Sequence, residues 1–154
     1  MKKILTVFTI MMFGLCTFAD GQEDALKFFN SFVNAANSYS QAVPSMYSDN
    51  AKIIRQIVKP DGSLANAYFT ADQYRAQMRL SEKIAKLKNY KNYYSNIKVT
   101  KVSNGYRIDS LRRPSLSNYY LKSSMVVQKQ SDGRWLIVEE LMQTKEQIFL
   151  KYAK

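Results

Sequence analysis

Histidine is absent from the 154 residues, and cysteine occurs once, at Cys16. Histidine is the commonest general base near neutral pH and the commonest metal ligand. Without it, a Ser-His or Cys-His nucleophile and an ordinary zinc site are excluded, and only carboxylate, Lys, Tyr or Arg side chains could carry chemistry. No cofactor and no metal site are therefore expected. A lone cysteine excludes an intramolecular disulfide, so stability has to come from a packed core. Glycine (5) and proline (3) are scarce, and no Pro/Gly/Ser-rich linker, low-complexity segment or internal repeat divides the chain. A single domain is expected. Acids are also few: 12 Asp and Glu stand against 23 Lys and Arg, for a formal net charge of +11. Such a charge attracts anionic head groups, cell-wall polymers, acidic proteins and nucleic acid.

What is present begins with an export pattern. Lys2 and Lys3 precede the apolar run Ile4 to Cys16, and Thr17-Phe18-Ala19 follows with small residues where a signal peptidase reads. The run is shorter than the ~20 residues of a spanning helix. Residues 1–19 read as a signal peptide cleaved after Ala19, and residues 20–154 as one domain, periplasmic or secreted. An uncleaved anchor is the alternative; a lipoprotein acylated on Cys16 is disfavoured because Leu15 stands where a small residue is expected. Cleavage would remove the cysteine and two lysines, leaving 21 basic residues against 12 acids, or +9. Export argues against nucleic acid as a partner and leaves an anionic envelope surface or another protein. The basic residues are densest from Arg75 to Lys101, interleaved with Tyr90, Tyr93 and Tyr94. A solvated helix face is the plain reading of that stretch, and an anionic-surface contact is the other.

Periodicity supplies the elements. From Asp24, read as an N-cap or first-turn acid, to about Tyr39, apolar residues recur at helical spacing. A short helix over Val43 to Tyr47 ends at Ser48-Asp49-Asn50, and residues 51–58 (AKIIRQIV) form a strand closed by Lys59-Pro60-Asp61-Gly62. Thr70 opens another helix through a capping box with Gln73, running to Leu87 with a break expected near Ser81. Four antiparallel strands follow: Tyr94 to Val102 with Ile97, Val99 and Lys101 on one face, Tyr106 to Arg113, Tyr119 to Gln130, and Arg134 to Gln143. Thr144 to Lys154 closes as an amphipathic helix with Ile148, Phe149 and Tyr152 on one side. The fold class is α+β, with a curved antiparallel sheet forming a cone or cup closed by N-terminal helices.

Three stretches resemble the NTF2-like (cystatin-like) superfamily. Phe28 to Ala36 (FFNSFVNAA) is similar to its first helix, Met46 to Ala51 (MYSDNA) to its junction into the first strand, and Ser131 to Leu141 (SDGRWLIVEEL) to its Asp-Gly-x-Trp hairpin. The resemblance spans nearly the whole of residues 20–154 and implies a cup that commonly holds a small molecule. Ketosteroid isomerase, dehydratases, hydrolases and non-catalytic proteins share this fold, so it does not settle function. The isomerase pattern implies an aspartate where Arg55 stands and an oxyanion-binding tyrosine where Phe29 stands. A cation cannot abstract a proton and a phenyl ring cannot donate a hydrogen bond, so steroid isomerisation is not expected.

Arg55, in an otherwise apolar strand, is the leading binding candidate. Facing the cup it would grip a carboxylate or phosphate bidentately; otherwise it is a structural ion pair or an outward charge. Glu140, two residues beyond Val138, is placed on the same cup as the partner of Arg55 and as the one weak catalytic candidate, while Glu139 points away. Tyr47, Tyr74, Met78 and Met125 are candidates for the cup wall, core packing being the competing role. Trp135 anchors the core, and Tyr119-Tyr120 beside Arg112 and Arg113 form a candidate rim contact for an anionic partner. The first functional reading is an exported, non-catalytic binding or interaction module whose cup takes a small, candidate anionic ligand. The second is a carboxylate-dependent lyase, isomerase or hydrolase. The third is an envelope assembly component similar to the periplasmic domain of type IV secretion proteins. The open sheet face is a candidate homodimer surface.

Overall fold

The computed structural model describes residues 14–154, with side chains from Asp20 onward. The charged start and most of the apolar run of the expected export signal lie outside the described residues. Helix α1 spans Gly14–Asn37 and passes without a break through the expected cleavage point. The chain is therefore already helical at Gly14, ten residues before the expected Asp24 start. Gly21 is a close-contact point: a Cβ there would collide with the Tyr106 hydroxyl, so a larger residue requires that ring to shift. No helix among the described residues is long and apolar enough to cross a membrane.

A 3-10 turn over Val43–Met46 leads into β1, Tyr47–Val58. Ser48 to Asn50, expected to be a helix end, already belong to that strand, which is irregular between Tyr47 and Lys52 where it meets its partner. The turn after β1 holds as read: the Asp61 carboxylate accepts from the Ser63 backbone N–H at 2.9 Å and its hydroxyl at 2.7 Å. The chain then returns as β2, Leu64–Phe69, an element the periodicity missed. Its sequence, LANAYF, has no β-branched residue; pairing with β1 makes it a strand, and intrinsic preference does not. Thr70 caps α2, Ala71–Leu87, with the expected box: its hydroxyl accepts from the Gln73 N–H at 3.2 Å while its own N–H donates to Gln73 Oε1 at 3.0 Å. The helix does not break at Ser81, whose hydroxyl donates back to the Gln77 carbonyl.

The remaining strands are β3 (Asn92–Val102), β4 (Gly105–Pro114), β5 (Leu121–Lys129) and β6 (Trp135–Thr144). The sheet order is β2-β1-β6-β5-β4-β3. Neighbours are antiparallel except β1 and β6, which pair in parallel and join the two halves of the curved, unclosed sheet. In β3 the expected face of Ile97, Val99 and Lys101 is broken. Asn96 takes a positive φ of 52°, the register shifts between Ser95 and Lys98, and Ile97 turns outward while Val99 stays against the core. The last residues form a 3-10 helix, Gln147–Tyr152. Three residues per turn align Phe149 with Tyr152, and both rings pack edge-on to Phe69 at 6.0 and 5.3 Å. Ile148, expected on their side, is exposed.

The core lies between the concave sheet face and the two helices. Ala25, Phe29 and Phe32 of α1 meet Ile53, Tyr106, Ile108, Met125, Val127 and Ile137 of the sheet. Arg75 fastens α2 to the β1 entry: Nε donates to the Pro44 carbonyl (3.1 Å), Nη2 to the Tyr47 carbonyl (2.7 Å), and its cation pairs with Asp49 and Asp72.

Candidate functional site

Strand register decides which side chains meet on the concave face. Residues paired across a sheet share a face, and Arg55 stands opposite Met142, which stands opposite Ser123, which stands opposite Ser110. Along each strand alternation then places Ile53, Arg55 and Ile57 of β1 on that face with Tyr106, Ile108, Ser110 and Arg112 of β4. Glu140 pairs with Ile53 and with Met125, so it shares the face. The expectation that Glu140 faces inward holds, but the reason differs. Val126 is opposite Glu139 and Val127 opposite Ile137, leaving Val138 as an extra residue, so Glu140 shares its face with Ile137 and not with Val138. Glu139 is half-buried on the opposite face.

Arg55 and Glu140 form a buried ion pair, with Nη1 3.0 Å from Oε1 and the two side chains 7% and 0% exposed. That contact is electrostatic and off the axis of an N–H hydrogen bond. Glu140 Oε2 accepts a short hydrogen bond from the Tyr47 hydroxyl. Arg55 Nη1 donates to the Ile54 carbonyl (3.3 Å), and its guanidinium lies 4.6 Å from the Tyr74 ring centroid. Tyr74 packs edge-on against Tyr47 at 5.2 Å, and Tyr47 against Phe32 at 6.0 Å. Burial, reinforced by the charge of Glu140, pushes the Tyr47 hydroxyl far above the usual tyrosine range and raises Tyr74 and Tyr94 in the same way. Burial alone would lower the Arg55 pKa, but Tyr74, Glu140 and Tyr47 beside it outweigh that and hold it above the ordinary arginine value.

Above this quartet opens a cavity of about 960 Å³ between α1, α2 and the sheet. Its wall is mainly apolar, with Phe32, Val33, Val43, Met78, Leu121 and Met142 among the lining residues. Of the six expected site residues, Arg55, Tyr74 and Met78 line it. Tyr47 and Glu140 lie one layer beneath, bonded to each other. Met125 does not reach the cavity; it is buried in the core opposite Glu140, where β5 turns it under the floor. The carboxylates on the cavity wall are Glu82, which is held by Lys86 and Gln41, and the exposed Glu146. Among the described residues no group of three or more Asp, Glu or Cys is gathered that could hold a metal ion.

The residue missed by sequence is Arg112. The sequence sets it with Arg113 on a rim, but it is 3% exposed and lines the cavity. Arg113, one step along β4, points to the other face and stacks on Tyr93 at 4.8 Å. Tyr119 is at the mouth with Lys145 over its ring at 4.3 Å, and Tyr120 is exposed. A second hollow of about 750 Å³ lies between β2 and the C-terminal 3-10 helix, lined by Tyr68, Thr70, Gln73 and Lys151 among others. None of its lining residues is a buried charge.

No family model and no curated protein matches this chain. Solved structures do. An NTF2-like protein with a cystatin-like fold from Novosphingobium aromaticivorans aligns over 90% of this chain and 93% of its own, with a TM-score of 0.62 and 10% identity. A protein of unknown function from Pectobacterium atrosepticum aligns over 81% and 91%, with a TM-score of 0.60 and 20% identity. A candidate ketosteroid isomerase from Shewanella frigidimarina aligns over 75% and 91%, with a TM-score of 0.53 and 18% identity. At these identities the likeness establishes the fold. The chain has the NTF2-like, cystatin-like α+β fold that its sequence resembles.

Proposed function

We propose that the protein is an exported, non-catalytic binding module whose NTF2-like cup takes one small, largely apolar ligand. The observation that supports this best is a cavity of about 960 Å³ whose wall acids are Glu82 and Glu146, while the inward carboxylate Glu140 is sealed beneath it. Tyr and Met side chains line this space without filling it, and its volume falls in the ~300–1,000 Å³ range of ligand sites. A general base must come within about 3 Å of the proton it takes. Glu140 is covered by Arg55 and Tyr47 and offers no such approach. The carboxylate-dependent lyase, isomerase or hydrolase reading is weaker for that reason; turnover by the unmodified protein that Glu140→Gln abolishes would reverse the ranking. The export half of the reading rests on the residue pattern of positions 1–19.

The test is titration with a neutral apolar fluorophore, N-phenyl-1-naphthylamine, against the unmodified protein and Met78→Trp. Met78 lines the cavity, and an indole there occupies ligand space. Saturable one-to-one binding is expected, weakened about tenfold or more in Met78→Trp with the thermal midpoint retained. Absence of binding to the unmodified protein, or equal binding by the variant, overturns the reading.

A further inference from the structure

Two buried arginines line the cavity, and their electrostatic situations are opposite. Arg55 is matched by Glu140 at 3.0 Å. Arg112 is just as buried, yet it pairs with no carboxylate among the described residues. An exposed cation needs no counterion because water solvates it; a cation withdrawn from water keeps its charge only at a cost unless fixed dipoles or an anion face it. The protein supplies dipoles. Nη1 donates to Asn92 Oδ1 at 2.7 Å and to the Tyr90 hydroxyl at 3.3 Å, and Nη2 donates to the Gln143 carbonyl at 2.7 Å. Asn92 is itself held by Asn37 at the end of α1 through two bonds of 2.9 Å. The guanidinium is therefore fixed in place by both the sheet and the first helix.

A guanidinium carries five N–H donors. Three are engaged by neutral oxygens, which leaves the Nε–H and one Nη2–H. The Nε atom has no hydrogen-bond partner and no contact with solvent. Nε and Nη2 occupy one edge of the planar group, and their spacing matches the two oxygens of a carboxylate. Extending the cup reading above, we propose that Arg112 is the anion subsite of the cavity. Its ligand class is an amphipathic monocarboxylate, with the carboxylate on the Nε/Nη2 edge and the apolar body along Leu121, Met142 and Met78. Because Nε is shielded, the entering head group has to displace the side chains that cover it. Of the two buried arginines, Arg55 is already neutralised by Glu140, so a single negative charge, and not two, answers the buried cation that remains.

The proposal rests on the cup being open to small molecules, and the experiment separates the two ideas. Binding of octanoate, 1-octanol and octylammonium to the purified full-length protein is measured by calorimetry, then repeated with Arg112→Gln and Arg112→Lys. Octanoate is expected to bind about tenfold or more tighter than 1-octanol, with octylammonium weakest. Arg112→Gln removes the advantage of octanoate and leaves 1-octanol within about twofold, while Arg112→Lys, a point charge without the fork, retains part of it. If octanoate and 1-octanol bind the unmodified protein equally, the anion subsite is refuted and the cup survives. If no probe binds, both fall. Should Arg112→Gln fail to fold, the ordering of the three probes on the unmodified protein still decides.

Discussion

Glu140→Leu should unfold the protein far more readily than its conservative shape suggests, and the reason can be quantified. Arg55 and Glu140 are 7% and 0% exposed with charged atoms 3.0 Å apart. Removing one member of a buried pair strands the other charge out of water, which costs about 3–5 kcal/mol. Glu140→Leu also strips the Tyr47 hydroxyl of its acceptor, for about 1–3 kcal/mol more. Against a total stability of roughly 5–15 kcal/mol for a single domain, either Glu140→Leu or Arg55→Met is severe. Removing every polar member together, as Arg55→Met/Glu140→Leu/Tyr47→Phe, leaves no stranded group. That triple variant should lie within about 2 kcal/mol of the parent, because replacing a buried pair by apolar side chains of similar volume is often neutral. Urea unfolding followed through Trp135, which sits against Tyr106 at 6.0 Å, reads all the variants. A coupling energy of about 3 kcal/mol or more between positions 55 and 140 is expected. If the single costs simply add, to within about 0.5 kcal/mol, the charges are solvated and the description of a sealed floor beneath the cavity is wrong.

Two further outcomes follow from the same geometry. Tyr47, Tyr74 and Tyr94 have folded pKa values raised above the unfolded value, chiefly by burial and then by Glu140. A raised tyrosine pKa contributes stability that is complete below about pH 10 and is lost as pH rises above it, because the unfolded chain releases those protons first. Stability should fall by up to about 1.4 kcal/mol per pH unit for each such tyrosine. Difference absorbance at 295 nm should show these three ionising only with unfolding; free titration near pH 10 would contradict their burial. Thr70→Ala removes the hydroxyl half of the α2 capping box and should cost about 1 kcal/mol in urea unfolding. A loss below a few tenths would mean that tertiary contacts alone hold the helix start.

Elements whose signal is local were readable. The capping box at Thr70, the Asp61-Gly62 turn and the Asp-Gly hairpin before β6 each depend on a few adjacent residues, and each stands where expected. Elements defined by partners were not. Leu64–Phe69 is a strand because β1 offers it an edge, and the parallel pairing of β1 with β6 links residues 87 positions apart, as in Ile53 with Glu140. Irregular residues caused the facing errors: one extra residue at Val138 and the positive φ of Asn96 each reverse the alternation that period-two reading assumes.

Arg112 shows a different kind of miss, because the signal for it was present. Tyr106, Ile108, Ser110 and Arg112 share one parity along β4, and the first two are apolar and buried. A strict alternation through GYRIDSLRRP therefore sends Arg112 inward and Arg113 outward. The rim reading instead sets both arginines outward, since two adjacent cations before a proline resemble solvated punctuation. The strand runs to Pro114 because that residue's missing N–H falls at the strand end, where a proline is tolerated. Parity also explains why Arg55 is matched by an acid and Arg112 is not. Its inward neighbours bring Glu140 beside it, whereas Arg112 stands opposite Leu121, with no acid to answer the charge. One carboxylate among the inward positions thus leaves one cation uncompensated, and an entering anion is the partner that the sequence of the wall does not supply.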